Sequence, residues 1–589
     1  MSKDKGGAEP SPASLPPSRR FGGTIVQIHA HPTRTAGLRP LPCQPFVQIN
    51  ILLENRWGIM SSVGQFEFIL LLLVAILGLR LLAGRLGLPP AAALIIGGMG
   101  LAFVPGVPAF DLDPDLVLVL FLPPLLMDGA YYTVWREFRR NLAAILQLAI
   151  GAVLFTTLAV GIVTHLLVPD LPWAVCFALG AVVSPPDAVA AKAVLEHVTL
   201  PRRLVVLLEG ESLLNDAAGL VLFRFAIAAA LTGAFSLGQA TLAFTGLAVG
   251  GVIVGGVLGY LWIRGLRRLK HEHLTITAIF MLPWAAYILG EAAGVSGVIA
   301  TVAAGLVLGW HQHEVFTASV RLMGTAAWQV MVFVLEALVF ILIGLSLRGV
   351  MSRLGGVEHA LGTLAVPVLA VLGTVVVSRF LWVFAAEGVG QILGLLVKRR
   401  PLWSPASALL LSWAGMRGVV TLAVALSIPT EVPGRDLILA AAFAVILGTV
   451  LIQGSSLGPL IRWLGLDKSA GHQGAVLTAP QAMAAVAAAQ LEAVRARAHN
   501  GDGSVRHPRL LEQYTHRARV AERYSKERDV LSADRSEHYD VILATIAAGR
   551  TEVLRLHRTG RIHDDVLHVL EYELDLQEMA ASTSRMRLG

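Results

Sequence analysis

The chain has 589 residues, of which 55% are hydrophobic and only 15% charged, where a soluble protein carries about 25% charged residues. That balance excludes an ordinary soluble globule, and apolar runs of spanning length from Gln65 to Leu466 predict an all-α polytopic membrane protein. A net charge of +7 fits basic loops on one side of a bilayer and argues against nucleic-acid binding.

Residues 1–59 are rich in Pro, Gly, Arg and Ser and lack the apolar core of a signal peptide. Met60 is followed almost at once by SSVGQFEFILLLLVAILGLRLLA. The expectation is that the native protein begins at Met60, with 1–59 a mis-assigned start or a disordered leader. About thirteen apolar runs follow, at roughly 20 residues per span. They lie near 64–84, 88–105, 113–133, 142–168, 171–196, 204–232, 237–263, 273–290, 294–313, 325–347, 361–388, 404–428 and 435–463.

Connections after odd-numbered runs carry most of the basic residues: Arg85; Arg136, Arg139 and Arg140; Arg202 and Arg203; Arg264, Arg267, Arg268 and Lys270; Arg321; and Lys398, Arg399 and Arg400. Those after even-numbered runs carry only Arg348, Arg353 and Arg435. The positive-inside rule then puts the odd connections and the C-terminus in the cytoplasm and the N-terminus outside. Gly251, Gly255 and Gly259 repeat along the seventh run as a small-residue packing stripe, or as part of a linker between two six-helix halves of an inverted repeat. Residues 60–466 form the expected membrane domain. Residues 467–589 form a cytoplasmic helical tail with apolar spacing at Val553, Leu556, Val566, Leu567 and Leu570. Its histidines, His516, His538, His557, His563 and His568, show no ligand spacing and read chiefly as solvated surface.

Polar chemistry concentrates between Ser184 and Asp216. In LVVLLEGESLLNDAAGLVLF, helical spacing stacks Glu211 over Asn215 and Ser212 over Asp216. Ionisable groups at that depth are costly and point to an ion or proton path. Upstream, Pro185 and Pro186 deprive the carbonyls of Ala181 and Val182 of helical partners, and Asp187 follows. A second break is expected at Ser412-Trp413-Ala414-Gly415-Met416-Arg417-Gly418, where two glycines bracket a buried arginine. Broken helices of this kind build ion sites in secondary transporters. Asp128, Asp187, Glu211, Asp216 and Glu336 face the intramembrane cations Arg379 and Arg417, which leaves acid over for a transported cation or protons. Asp216, Ser212 and freed carbonyls offer the oxygen ligands that hard cations prefer. One carboxylate holding either a proton or a cation would, by that competition, give antiport. No phosphate-binding loop, metal-ligand spacing or nucleophile elbow suggests ATP-driven pumping or an enzyme, and no cofactor is expected. Cys43 and Cys176 imply no disulfide framework.

SPPDAVAA, LEGESLLNDA, FLPPLLMDGAYY, GVSGVIATVAAGLVLG and SWAGMRGVVTLAVAL together resemble the bacterial branch of the sodium/proton exchangers of the NHE/NhaP type. The resemblance spans essentially all of 60–466, and the tail around GRIHDDVLHVLEYELDLQE is similar to cytoplasmic extensions of bacterial members. It implies an inverted-repeat antiporter fold with two broken crossing helices, a homodimer in the bacterial plasma membrane, and a mobile six-helix core working by elevator-like alternating access. By motif position it implies that Asp216 binds the cation and the proton, that Ser212 is a ligand, and that Pro186 contributes a carbonyl. Asn215 and Asp187 would hold the crossing together with Arg417, and Glu211 would pair with Arg379. Asp128 belongs to the surrounding scaffold. The Asn215-Asp216 pair resembles that of electroneutral exchangers.

The chain departs from the family at Pro186-Asp187-Ala188, where members often read Thr-Asp-Pro. Glu209 points to another face of its helix and reads as a gating residue or a solvated helix-end acid. Sodium is the expected cation, with potassium and lithium as alternatives. A passive channel or membrane sensor is the alternative from another class, disfavoured because the acids cluster at breaks instead of lining a continuous stripe.

Overall fold

The computed structural model describes residues 62–105, 114–187, 200–233, 236–353, 362, 364–397, 404–466, 479–498, 504–526 and 532–586. The leader at 1–59 lies outside the described residues, as does the chain from 188 to 199 that would continue the first break. Every regular element among the described residues is a helix.

The helices used below are α1 (Ser62–Leu86), α2 (Pro90–Ala102), α3 (Pro114–Tyr132), α4 (Trp135–Leu167), α5 (Trp173–Val183), α6 (Arg202–Thr232), α7 (Leu237–Leu266), α8 (Glu272–Ala292), α9 (Gly297–Val315), α10 (Ala318–Leu345), α11 (Ala365–Val397), α12 (Pro405–Trp413), α13 (Val419–Leu426) and α14 (Arg435–Trp463). Four further helices follow among the described residues of the tail: α15 (Ala479–Ala498), α16 (Pro508–Lys526), α17 (Ser532–Arg558) and α18 (Asp564–Met586).

Among the described residues nine helices are long and apolar enough to cross a membrane: α1, α3, α4, α6, α7, α8, α10, α11 and α14. This differs from a row of about thirteen uniform spans, because several runs are short or broken. α2 and α5 are short apolar helices, and the run 404–428 is two helices separated at 414–418. The fourth span also starts earlier than its apolar run. Its first turns are amphipathic, with Phe138 buried while Arg136, Arg139 and Arg140 stay exposed, so basic residues assigned to a loop lie on the helix.

Cα packing divides the chain into two compact units. The first takes the described parts of 1–193, 209–386 and 412–455, and the second those of 194–208, 387–411 and 456–589. The first unit holds two apolar clusters. One joins Val175, Leu179 and Val183 of α5 to Val371 and Val375 of α11 and to Ile438, Ala442 and Val445 of α14. The other joins Met127, Leu282, Leu308 and Trp328 from α3, α8, α9 and α10. The glycine stripe on α7 serves packing. A methyl at Gly255 would run into the backbone of Ala300 on α9, and one at Gly259 would lie 3.1 Å from Cα of Ala304. In the second unit, α17 and α18 pair through Arg550, which meets Asp575 at 2.8 Å and Glu578 at 2.5 Å, and Arg585, which meets Asp540 at 2.9 Å.

Candidate functional site: a crossing of two broken helices

The first break follows from the sequence directly. α5 ends at Val183 with Ser184 as its C-cap, and Ser184, Pro185 and Pro186 are all buried beyond the helix end. The carbonyls it frees differ from those expected. In a continued helix the Asp187 N–H would bond to Val183; here it donates to Met416 O at 2.6 Å, across to the second break. Val183 O is thereby released, and it accepts from Arg417 Nε at 2.9 Å, while Ser184 O accepts from Arg417 Nη2 at 2.9 Å. Of the two carbonyls named from the proline positions, Ala181 O accepts the Ser184 hydroxyl at 3.3 Å.

The second break, 414–418, lies between α12 and α13. Arg417 is 1% exposed, so a charge of this size needs its donors satisfied. Besides Val183 and Ser184 it donates to Gly415 O, and its backbone N–H donates to the Thr449 hydroxyl at 3.0 Å. Thr449 opens a π-helical turn, Thr449–Gly454, inside α14. Such single-turn irregularities recur at functional sites. No proline marks it, and Thr449 was not legible from the sequence.

Both glycines bracketing Arg417 face side chains at close range. A methyl at Gly418 would overlap the Asp187 carboxylate, and one at Gly415 would lie 2.5 Å from Cδ of Arg379. The closeness at Gly418, the N-cap of α13, brings an acid to a helix N-terminus, while Arg417 sits at the C-terminal carbonyls of α5. Each charge therefore faces the helix end of opposite partial charge.

α6 supplies the other wall. Glu211 and Arg379 of α11, 2% and 3% exposed, make a two-pronged pair at 2.5 and 2.8 Å. Asn215 Nδ2 donates to Pro186 O at 2.5 Å, tying α6 to the first break. A methyl at Gly219, one turn on, would meet the ring of Pro185, so the helix and the break touch closely there. Below α5, the Thr157 hydroxyl of α4 lies 3.1 Å from that of Ser184, and the hydroxyls of Ser378 and Thr156 lie 3.1 Å apart.

The structure thus brings together Pro186, Asp187, Glu211, Asn215, Arg379 and Arg417. Asp216 is on the same turn, 8% exposed, with no hydrogen bond or ion pair from another described residue. Asn215 Oδ1 is buried and also lacks a partner among the described residues. Ser212 is half-buried one turn earlier. Asp128 accepts the indole N–H of Trp328 at 2.9 Å, within the cluster of α3, α8, α9 and α10, and neighbouring Gly129 faces Leu213 of α6.

Comparison with known proteins decides the family. The family model described as sodium/hydrogen exchanger, transmembrane, matches residues 69–463. The chain belongs to the sodium/hydrogen exchanger family. A sodium, potassium, lithium and rubidium/H+ antiporter of Bacillus subtilis is 36% identical over 380 residues, covering 62% of this chain and 56% of the relative's length. An uncharacterised Na+/H+ exchanger of Mycobacterium tuberculosis is 32% identical over 525 residues, 87% of this chain and 95% of the relative. Among solved structures, the sodium proton antiporter MjNhaP1 of Methanocaldococcus jannaschii at pH 8 superposes with a TM-score of 0.54 at 21% identity, covering 69% of this chain and all of that one. That likeness shows an antiporter-type fold.

Proposed function

We propose that this family member is a secondary active antiporter exchanging a monovalent cation, sodium first, for protons across the bacterial plasma membrane. The observation that carries the reading is a contrast within the crossing. Arg379, Arg417, Glu211 and Asn215 Nδ2 are committed to protein partners, whereas Asp216 and the adjacent Asn215 Oδ1 are not matched by any described residue. A buried carboxylate left in that condition needs a proton or a cation. Competition between the two for one site links their movements.

In this reading Asp216 and Ser212 bind the cation, and the Pro186 carbonyl, which has a second lone pair beyond the one used by Asn215, contributes a ligand. Glu211, Arg379, Asp187, Asn215 and Arg417 hold the geometry, with Asp128 in the supporting scaffold. One carboxylate serving either cargo supports electroneutral exchange and a role in pH and sodium homeostasis. The breadth of the Bacillus subtilis relative's name makes potassium and lithium the next cations to test. We further propose a homodimer with an outside N-terminus, 60–466 as the exchanger domain, and 467–589 as a cytoplasmic and regulatory tail.

In proteoliposomes an inward sodium gradient should drive outward proton movement, and Asp216→Asn should reduce it to the level of empty vesicles. Cation flux without proton counterflow would replace exchange by a channel.

A further inference from the structure

The helix that carries Asp216 also carries a charge remote from the crossing. Arg224 lies about two turns beyond Asp216, roughly 12 Å along the α6 axis. Its Nη2 meets Glu291 Oε2, at the end of α8, at 3.1 Å. Both side chains reach the surface of the helix bundle, at 56% and 34% exposed, unlike the enclosed Glu211–Arg379 pair.

The two ends of the pair are anchored differently. Glu291 Oε1 accepts the N–H of Gly297 at 3.1 Å, which fixes the carboxylate at the start of α9. The turn behind it is tightly built. Gly294 has φ +70°, the Val295 N–H bonds to Gly290 O at 3.0 Å, and the Ser296 N–H bonds to Leu247 O on α7 at 3.3 Å. A methyl at Gly290 would lie 2.8 Å from Cα of Gly297, and one at Gly251 would lie 2.9 Å from Ser296 O. Trp262 of α7 donates to Ala278 O of α8 at 3.0 Å. Backbones packed this closely do not slide past one another by small steps. α7, α8 and α9 therefore form one block, and Glu291 is a fixed point on it.

α6 is bound to the crossing instead, through Asn215 to Pro186 and Glu211 to Arg379. A carrier with one site must move that site relative to the rest of the protein to expose it to each side in turn. Taking the antiport reading as given, we propose that Arg224 and Glu291 are positioning residues for exchange. Their ion pair holds α6 in one of two positions against the α7–α8–α9 block, and it opens when the Asp216 site turns to the other face. A partly exposed pair suits such a role because it biases the equilibrium by about two- to fivefold without locking it.

The test uses the full chain with Cys43→Ser and Cys176→Ser, spin-labelled at Leu231→Cys on α6 and Leu274→Cys on α8, both exposed, and diluted with an excess of unlabelled chain so that only distances within one protomer are read. In nanodiscs the distance distribution should contain two populations. Arg224→Glu should shift their ratio by at least about twofold, and Arg224→Lys, which keeps the charge and leaves Glu291 on the Gly297 N–H, should leave it near that of the unsubstituted protein. Exchange in proteoliposomes should follow the same pattern, through the KM for sodium more than through the amount of folded protein. A single population, or a ratio indifferent to Arg224→Glu, overturns the proposal. Because the distance measurement needs no transport, it stands apart from the antiport reading. If the unsubstituted protein fails to exchange sodium for protons, that reading falls, while the two-position pair is still decided by the labels.

Discussion

The crossing and the tail hairpin both use arginine–carboxylate pairs, and they do so to different ends. Glu211 and Arg379 are 2% and 3% exposed, while Arg550, Asp575 and Glu578 of α17 and α18 are 36%, 54% and 48% exposed at similar distances. In the tail water competes for every donor, and the pair contributes little. In the crossing the charges have no such alternative, so removing one partner of the Glu211–Arg379 pair strands the other. The contrast also explains the breaks. Arg417 is tolerated because interrupted backbone supplies carbonyls to it, whereas Arg550 and Arg585 of the tail sit on regular helices and reach carboxylate side chains.

The largest effect that would sharpen this contrast is expected from Glu211→Ala. It leaves Arg379 buried and unmatched, at a cost of about 3–5 kcal/mol, and should sharply lower the thermal midpoint in detergent. Adding Arg379→Met should recover most of the loss; a double variant as unstable as the single would show that the pair is not an isolated charge balance. Gly418→Ala comes next. Its methyl overlaps the Asp187 carboxylate, so sodium-driven proton movement should fall more than about tenfold while folded protein is still recovered, each tenfold being about 1.4 kcal/mol in the barrier. Undiminished exchange would mean that Asp187 can relocate freely.

Asn215→Ala removes the tie to Pro186 O and should cost about 1–3 kcal/mol of stability, read by the same melting assay. The smallest effects are expected in the tail. The Arg555 guanidinium, hydrogen-bonded to Glu552, holds that carboxyl below its usual range, and Lys526 does the same to Glu522. Groups depressed in this way stabilise above the unfolded carboxylate pKa of about 4.3 and lose that contribution as pH falls through the folded value. Amide protection in α16 and α17 should therefore be flat from neutrality to about pH 5 and decline only below it. Arg550→Ala should leave exchange unchanged. A sodium affinity that changed with Arg550→Ala would mean that the tail's surface pairs reach the transport site.

Much of the membrane domain was legible because local rules act along the chain. Apolar runs forecast helices, and two consecutive prolines at 185–186 cannot continue one. Glycines on both sides of a buried arginine announced the second break, and helical spacing put Glu211, Ser212, Asn215 and Asp216 within one turn or so of one another. What failed was the treatment of spans as uniform. An amphipathic start such as Trp135–Arg140 reads as a loop to a hydrophobicity count, though it is helical. The π-helical turn at Thr449 interrupts an apolar run that reads in sequence as one continuous helix.

The sequence by itself determined that this is an all-helical membrane protein with acids and cations concentrated at two breaks, because composition and backbone chemistry are properties of neighbouring residues. Only the tertiary structure decided how those groups are shared out. Glu211 reaches Arg379 and Arg417 reaches Val183 across more than 160 and 230 residues of chain, separations at which spacing carries no information. The Asp187 N–H leaves its own helix for Met416 O, and that one diversion selects which carbonyl Arg417 receives. Asp216 differs from its neighbours for the same reason: a buried carboxylate is defined by what fails to satisfy it, and this becomes visible only once Glu211, Arg379, Arg417 and Asn215 Nδ2 have been matched to their partners.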